Sequence, residues 1–336
     1  KNIEESLPES ISYNFDVKPI LSDKCYTCHG PDPKSVQGEL RLDIVDHWYR
    51  ISEEDSNKQI IFPGDVSKSE LVDRIHSTRA SHLMPPQESN LELTEREKII
   101  LEKWIEQGAE WDRHWAYNPP VKKEPRANNK DGWSTHIIDR FVVQQMDKKG
   151  LSPAPIAPKE ILLRRLYFDL IGLPPSISEI DAFLNDESED AFEKVVDHLL
   201  QSSSYGERMA SIWMDIARYA DTNGYQDDTQ RFMWPWRDWV IHAYNKLLPY
   251  DEFVSWQLAG DLLPNATKEQ ILATGFNRNH MITQEGGVIE EEYRVEYVAD
   301  RTATTAKSFM GLTMECARCH DHKYDELTQK DFFNLY

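Results

Sequence analysis

The sequence Cys316-Ala317-Arg318-Cys319-His320 repeats a pattern that occurs earlier as Cys25-Tyr26-Thr27-Cys28-His29. The two stretches contain all four cysteines of the chain. In each, two thiols lie one helical turn apart and can form thioethers with one haem, while the histidine that follows can coordinate the iron. The pattern therefore predicts two covalently bound haem c groups. The predicted attachment sites are Cys25, Cys28, Cys316 and Cys319, and the predicted iron ligands are His29 and His320.

Each stretch taken alone is also compatible with half of a zinc site, a thioredoxin-like redox pair or a chance occurrence. A zinc site needs a second pair of Cys or His ligands nearby, and a thioredoxin-like site needs a βαβ context. Neither accompanies these stretches. Haem attachment is the favoured interpretation.

The composition is that of a globular protein with room for two domains. The chain has 336 residues, 10 tryptophans, 40% apolar residues and a mean hydropathy of -0.64. No apolar run approaches the length of a transmembrane helix. No leader follows Lys1, so we expect any export signal to have been removed or left out. Covalent haem attachment by this motif occurs outside the cytoplasmic membrane, which predicts a periplasmic or cell-surface protein, with or without a lipid anchor.

The net charge is -20, and the acidic excess lies on both sides of one basic stretch, residues 113–133. Such a field repels nucleic acids and anionic lipids. It would also attract a cationic redox partner. An acidic surface that only keeps the protein in solution explains the charge equally well.

Residues 1–112 are predicted to form a small α-helical domain. An irregular stretch from Gly30 to Gly38 suits a loop over a haem edge. Capping boxes at Ser67 with Glu70 and at Thr94 with Glu97 predict two helix starts. After the second box, apolar residues recur at helical spacing until Gly108. They are Ile100, Leu101, Trp104 and Ile105.

Met84 is the only methionine of the first 112 residues, and Pro85 and Pro86 restrict its loop. A thioether held in this way can ligate haem iron opposite a histidine, which raises the reduction potential relative to two histidine ligands. Two alternatives stay open on these residues alone. Met84 could fill the core, or a histidine could take its place as ligand. The rival histidines are His47, His76 and His82.

Residues 113–133 form a basic, proline-containing linker, and residues 134–336 form a larger, all-helical domain. Further capping boxes are predicted at Ser176 with Glu179, Ser204 with Glu207, and Thr267 with Gln270. The helix after Ser204 is expected to turn Met209, Ile212, Trp213, Ile216 and Ala217 inward. The tryptophans of this domain are expected to be mostly core rather than a substrate platform. They include Trp234, Trp236, Trp239 and Trp256.

Charged and polar residues cluster just after the second haem motif. His322 is too close in sequence to His320 to reach the opposite face of the same iron. It is a candidate catalytic residue as a proton carrier, or a ligand of another metal together with Asp321 and Asp325. A polar network that only orients the loop is an equally good explanation.

Two more groups of polar residues are candidate catalytic residues. Glu285 precedes a run of three glutamates at a helix start. It could act as a general base or bind calcium, or these acidic residues could only stabilise the helix dipole. Tyr219 and Asp221 lie at a predicted helix end, where they could instead serve as a cap.

Several motifs of the first domain resemble the planctomycete-type cytochrome c domain, in the same order. They are Cys25 to Gly30, Gly38 to Leu42, Pro63 to Ser69, and Leu83 to Pro86. The resemblance implies a single haem with His29 as proximal ligand and Met84 as distal ligand.

The second domain is similar to the domain of uncharacterised function that commonly follows that cytochrome domain. The matching stretches are Ile138 to Val142, Phe168 to Pro175, Tyr205 to Arg208, Arg218 to Tyr225, Gln257 to Pro264, and Cys316 to Asp325. The resemblance supplies no settled reaction. His280 stands where a threonine is expected, and family members extend beyond Tyr336, so we expect a missing C-terminal region. The predicted fold class is mainly α: a small cytochrome c-like domain plus a larger all-helical domain.

The leading functional hypothesis is an exported dihaem c-type cytochrome that moves electrons between its haems, the second of which could serve an oxidoreductase reaction. One alternative is a non-catalytic electron carrier or scaffold with two saturated haems. A weaker alternative is a carbohydrate-binding module with a structural haem. The coordination of the second iron on its distal side would discriminate among these hypotheses. We expect no strong distal ligand there, since Met310 and Met314 suit helix packing and His242 is expected in a helix core.

Overall fold

The computed structural model describes residues 7–125, 133 and 136–336. Over these residues the protein is mainly helical, as predicted, with isolated β-bridges but no strand or sheet. The α-helices are α1 (Lys18–Lys24), α2 (Tyr26–His29), α3 (Val45–Trp48), α4 (Glu70–Ile75), α5 (Glu95–Glu106), α6 (Ile137–Lys148), α7 (Lys159–Leu170), α8 (Ile177–Asn185), α9 (Ala191–Leu200), α10 (Ser203–Ile216), α11 (Trp234–Asn245), α12 (Tyr250–Ala259), α13 (Lys268–Ala273), α14 (Glu290–Thr305) and α15 (Gln329–Leu335).

The chain divides into two compact units. The first contains residues 1–121 together with Met314–Leu335, and the second contains Lys122–Thr313 with Tyr336. The sequence-based boundaries placed the whole of 134–336 in one domain, so the segment that carries the second Cys-x-x-Cys-His motif groups differently in space. Of the predicted linker, a 3₁₀ turn at Trp115–Tyr117 is described, while residues 126–132 lie outside the described ranges.

The core of the first unit forms around α5. The capping box of Thr94 and Glu97 is present, as predicted. The four apolar residues predicted for this helix are all buried, and the ring of Trp104 meets Trp48 edge-on at 5.2 Å. Gly108 follows with a φ of 108°, a conformation that glycine adopts without steric cost. The helix therefore ends where the sequence predicts.

The predicted capping box at Ser67 is wrong. Asp65 caps a 3₁₀ turn, Val66–Lys68, by accepting bonds from the backbone of Ser67 and Lys68. Helix α4 begins only at Glu70, after Ser69, whose hydroxyl accepts a 2.8 Å bond from the Phe62 backbone instead of capping. A serine and a glutamate three residues apart are common in loops, so this spacing does not fix the helix start.

The second unit has two separate apolar clusters. One surrounds Trp213, Trp236 and Trp239, and the other lies among α7, α8 and α9. Two of the three buried indoles have partners, since Trp213 donates to Gln257 at 2.9 Å and Trp236 to the Ala273 carbonyl at 3.0 Å, whereas the Trp239 indole nitrogen has none among the described residues. The prediction of core tryptophans is therefore confirmed for these three residues. Trp234 is an exception, at 48% exposed.

Helix starts in the second unit match the sequence at two of three predicted boxes. Those at Ser176 and Thr267 are formed, but α10 begins earlier than predicted, after Ser202. The shift follows from the Ser202 hydroxyl, which accepts from the Ser204 backbone at 3.3 Å and takes over the cap. The inward face of α10 is also narrower than predicted, because Ile212 and Ile216 are exposed. Its buried side chains are Ala210 and Trp213, followed by Ala217.

None of the described helices combines the length and the apolar character that crossing a bilayer requires.

Candidate haem-binding site

The first Cys-x-x-Cys-His motif occupies the junction of two short helices. Cys25 lies between α1 and α2, and its backbone N–H donates to Leu21 at 2.8 Å while its carbonyl accepts from His29 at 2.9 Å. The next residue, Gly30, packs against α2 so closely that an added Cβ would lie 2.3 Å from the Tyr26 carbonyl oxygen. The turn after the motif therefore requires glycine.

His29 is oriented by a backbone acceptor. Its Nδ1 lies 3.2 Å from the carbonyl oxygen of Leu40, and because a carbonyl only accepts, Nδ1 carries the proton. Burial lowers the pKa of His29, while the bond to Leu40 acts in the opposite direction. The side chain is thus a neutral imidazole whose Nε2 lone pair is available to a metal, the arrangement that a metal-ligating histidine usually has.

The loop after the motif folds back onto it. Gln37 donates its backbone N–H to Cys28 at 2.9 Å, and Leu42 donates to His29 at 2.8 Å. Gly38 and Glu39 both have positive φ, at 59° and 51°, which reverses the chain between these two bonds. This reversal brings the Leu40 carbonyl to the imidazole.

Cys25 and Cys28 supply the two thiols of this motif. Burial raises the pKa of the Cys25 thiol to about 12, with a smaller contribution from Cys28. Both are free thiols, as are Cys316 and Cys319. The donor set of a haem c site, two unpaired thiols and an imidazole with a free Nε2, is present and fits the group.

Met84 lines a cavity of about 520 Å³. Its backbone N–H donates to the Arg74 carbonyl at 3.1 Å, which ties the Met84 loop to the end of α4. Leu83, Pro85 and Ile75 share the lining, whereas His29 does not belong to it. Ligation of iron by Met84 stays a prediction.

Each of the three rival histidines uses a ring nitrogen within the first unit. His76 Nε2 contacts Glu102, and His82 Nε2 lies 2.9 Å from Glu54 Oε2. His47 Nδ1 accepts from the Arg41 backbone at 3.1 Å. These bonds reduce the availability of all three side chains as iron ligands.

The second motif lies on a 3₁₀ turn, Glu315–Arg318. His320 Nδ1 lies 2.8 Å from the Asp321 carbonyl oxygen, so it too donates to the backbone and leaves Nε2 free. Cys316, Cys319 and His320 are exposed, in contrast to the half-buried first motif. Met314 and Ala317 are buried and anchor the turn.

Contacts within the first unit bring this segment to the N-terminal part of the chain. Lys323 Nζ lies 3.2 Å from Asp23 Oδ1, two residues before the first motif. His114 Nε2 lies 3.2 Å from Asp325 Oδ1, and the backbone N–H of His114 donates to Glu326 at 3.4 Å. No local pattern in the sequence indicates these pairs, because their partners lie as far apart as 212 positions for His114 with Glu326 and 300 for Lys323 with Asp23.

The environment of His322 supports its structural explanation. Nδ1 accepts backbone N–H bonds from Asp325 at 2.9 Å and Tyr324 at 3.2 Å. The same nitrogen also lies 3.5 Å from Asp325 Oδ2. A hydrogen bond between these two atoms would need a proton on Nδ1, and the two shorter bonds exclude that proton because Nδ1 is the acceptor in both. Asp321 accepts from the Gln329 backbone at 2.8 Å and so holds the start of α15.

The described residues contain no group of three or more His, Cys, Asp or Glu side chains arranged to hold a metal ion. The hypotheses of a second metal at His322, Asp321 and Asp325 and of calcium near Glu285 therefore receive no support here. The three glutamates at the start of α14 occupy its first turn, where they stabilise the helix dipole.

Tyr219 and Asp221, two of the candidate catalytic residues, do come together. The Tyr219 hydroxyl donates to Asp221 at 2.6 Å, and the other carboxylate oxygen accepts from the Met233 backbone at 3.0 Å. Burial raises the pKa of Tyr219, and the bond to Asp221 raises it further. Glu285 shares no described hydrogen bond with this pair. His242, expected in a helix core, is exposed on α11, so that expectation is wrong.

The comparisons with known proteins bear on both parts of the chain. A family model described as PSCyt2, protein of unknown function (DUF1549), matches residues 137–336, which is more than half of the chain. The chain belongs to this family. A second model, PSCyt1, described as planctomycete cytochrome C, matches residues 25–88. This PSCyt1 region holds the first motif and Met84, and the match indicates a c-type cytochrome domain with covalently bound haem c. No curated protein and no solved structure matches the chain.

Proposed function

We propose that this PSCyt2 family member is an exported dihaem c-type cytochrome, in which electrons pass between a haem on the first motif and a haem on the second. The first haem would be attached to Cys25 and Cys28, and the second to Cys316 and Cys319. The iron ligands would be His29 and Met84 for the first haem and His320 for the second.

One observation carries the proposal: both motif histidines donate Nδ1–H to a backbone carbonyl. The acceptors are Leu40, 3.2 Å from His29, and Asp321, 2.8 Å from His320. This bond selects the tautomer with a free Nε2 and holds the ring in one orientation. The PSCyt1 match ends before the second motif, so the likeness of the two histidines is the main support for a second haem.

Haem c, when bound, supplies reversible one-electron transfer. The residues around the two motifs would tune it differently. Cys25, Cys28 and His29 are half-buried, whereas Cys316, Cys319 and His320 are exposed. Solvent access and hydrogen bonds to the ligands are among the factors that set a haem's potential. We therefore infer two unequal potentials, with the second haem more accessible to a reactant or partner.

The second haem is proposed to lack a strong distal protein ligand. His322 Nδ1 is occupied by backbone donors, the Met314 side chain is buried in the core, and His280 Nε2 accepts from Arg301 at 2.8 Å. An open position would allow an oxidoreductase reaction, while a filled one would leave a non-catalytic electron carrier. The net charge of -20 favours a cationic redox partner outside the cytoplasmic membrane.

The experiment that tests the proposal is the haem count of the intact chain, made in a host that attaches haem c. Intact mass should exceed the polypeptide mass by two haems. Cys316→Ser with Cys319→Ser should remove one haem, and Cys25→Ser with Cys28→Ser should remove the other. A wild-type mass with a single haem, still retained in the Cys316 and Cys319 double variant, would disprove the dihaem assignment.

A further inference from the structure

The second unit contains guanidinium groups that lack carboxylate partners. Arg231 donates to the backbone carbonyls of His280 at 2.7 Å, Asn279 at 3.0 Å and Ala220 at 3.3 Å. All of these acceptors are neutral. Among the described residues, Arg231 forms no ion pair. Its guanidinium group is therefore held by backbone carbonyls, with no direct ion pair to a carboxylate among the described residues.

A second guanidinium of this kind belongs to Arg301 on α14. Arg301 Nη2 donates to His280 Nε2 at 2.8 Å, and His280 Nδ1 donates to the Met281 carbonyl at 2.7 Å. His280 is 4% exposed, and its ring lies against Tyr297 at 4.6 Å. Because Nε2 accepts a bond, His280 is neutral and adds no counter-charge. Arg301 thus also has no direct ion pair to a carboxylate in the part of the chain that the structure describes, and it lies beside the 279–281 segment.

A buried amide in the same cluster lacks partners. Asn279 is 2% exposed, and neither its amide oxygen nor its amide nitrogen has a hydrogen bond among the described residues. Arg218, by contrast, is paired with a carboxylate, since its Nε donates to Asp300 Oδ1 at 2.5 Å and its Nη2 lies 2.5 Å from the same oxygen. Native structures satisfy nearly all buried polar groups, and an exception calls for a ligand, an ion or water.

We propose that Asn279 and Arg301 form a binding site for the carboxylate group of a small organic acid. The planar guanidinium fork matches a carboxylate, and the Asn279 amide nitrogen supplies one more donor. A neutral ligand would leave the Arg301 guanidinium without a carboxylate partner. A polyanion such as nucleic acid would be repelled by the net charge of -20.

The acid is inferred to carry a ring. Tyr297, which packs on His280, continues into a row of tyrosines, with centroids 6.0 Å apart to Tyr293 and 5.4 Å from there to Tyr225. Half-buried aromatic rings beside fixed polar donors are typical of sites for aromatic or sugar rings. An aromatic acid and a uronic acid share this chemistry. The inference does not depend on the number of haems.

The test is titration calorimetry on the full chain with its haem attached, at constant ionic strength. The probes are benzoate and glucuronate, and the neutral controls are benzyl alcohol and glucose. At least one acid should bind saturably to one site, and the better of the two identifies the ring type. Arg301→Gln should weaken binding at least tenfold. The matched control is Arg294→Gln on the same helix, which should bind as wild type because Arg294 pairs with Glu291 at the surface.

A second variant keeps the test decisive if Arg301→Gln fails to fold. Asn279→Asp conserves size but adds a negative charge, so it should also weaken acid binding at least tenfold while the far-ultraviolet circular dichroism is unchanged. Three results would overturn the proposal: no saturable binding of either acid, equal binding of the neutral controls, or unchanged affinity in whichever of the two site variants folds.

Discussion

Lys323 and Asp23 form an ion pair of 3.2 Å although 300 residues separate them in the chain. Both side chains are partly exposed, so the pair contributes no more than about 1 kcal/mol. Its importance is positional, because it joins the segment of the second motif to the helix that leads into the first.

We expect Lys323→Glu to loosen the 314–335 segment, since it sets two like charges against each other. Amide hydrogen exchange in this segment should become faster, corresponding to about 1 kcal/mol or less in local opening free energy. The double variant Asp23→Lys with Lys323→Glu should restore the wild-type exchange. Equal exchange in all three proteins would show that the pair has no role in holding the segment.

Met84 is predicted to be the distal ligand of the first haem. Met84→Ala should abolish the weak sulfur-to-iron band in the near infrared and lower the reduction potential, because a thioether ligand favours the reduced state. His82→Ala, which removes a side chain already bound to Glu54, is the control and should keep the band. A band that persists in Met84→Ala would make His82 or His76 the better candidate.

Carbon monoxide is predicted to bind the second haem only. Added to the reduced protein, it should shift about half of the Soret intensity at once, since the first iron would be saturated if His29 and Met84 are its ligands as proposed. The Cys316→Ser with Cys319→Ser variant should lose this response. An unshifted wild-type spectrum would instead favour two saturated haems and a pure electron carrier.

Gly30→Ala is expected to destabilise the first unit. The added methyl group would lie 2.3 Å from the Tyr26 carbonyl, and overpacking of this kind typically costs about 1 to 3 kcal/mol. Gly286 is the matched control, because a Cβ there meets no atom within 4 Å. Chemical denaturation should show a lower free energy of unfolding for Gly30→Ala than for the wild type. For Gly286→Ala the free energy of unfolding should be almost unchanged. Similar values for the two would contradict the close packing at Gly30.

His280 is predicted to make the second unit sensitive to acid. Burial lowers its pKa from 6.5, with Arg301 adding to the effect. Between the folded pKa and 6.5 the unfolded chain therefore binds more protons than the folded one, and the free energy of unfolding falls as the pH drops through this window. Above the unfolded pKa the contribution is constant. In His280→Gln that part of the pH dependence should vanish, whereas the exposed His242→Gln should keep it.

The sequence by itself determined the chemistry-bearing motifs and most of the helices. Cys-x-x-Cys-His is a contiguous pattern whose spacing carries its function. The face of α5, from Ile100 to Ile105, follows from helical periodicity and a local cap. Such features depend on neighbours within a few residues, and the local sequence contains all of those neighbours. The capping box predicted at Ser204 was wrong because Ser202, two residues earlier, is the residue that caps α10.

Tertiary structure alone decided what surrounds the motifs. The acceptor for His29 is the backbone carbonyl of Leu40. Every residue has a backbone carbonyl, so the residue type at position 40 does not indicate this bond. Asp23 meets Lys323 across 300 positions of chain, and Arg301 meets His280 across 21. The backbone N–H that His322 Nδ1 accepts favours a structural role for this side chain, and no pattern in the sequence indicates that bond. Contacts between distant segments depend on how the whole chain packs, because spacing along the sequence fixes only what lies within a turn or two of each residue.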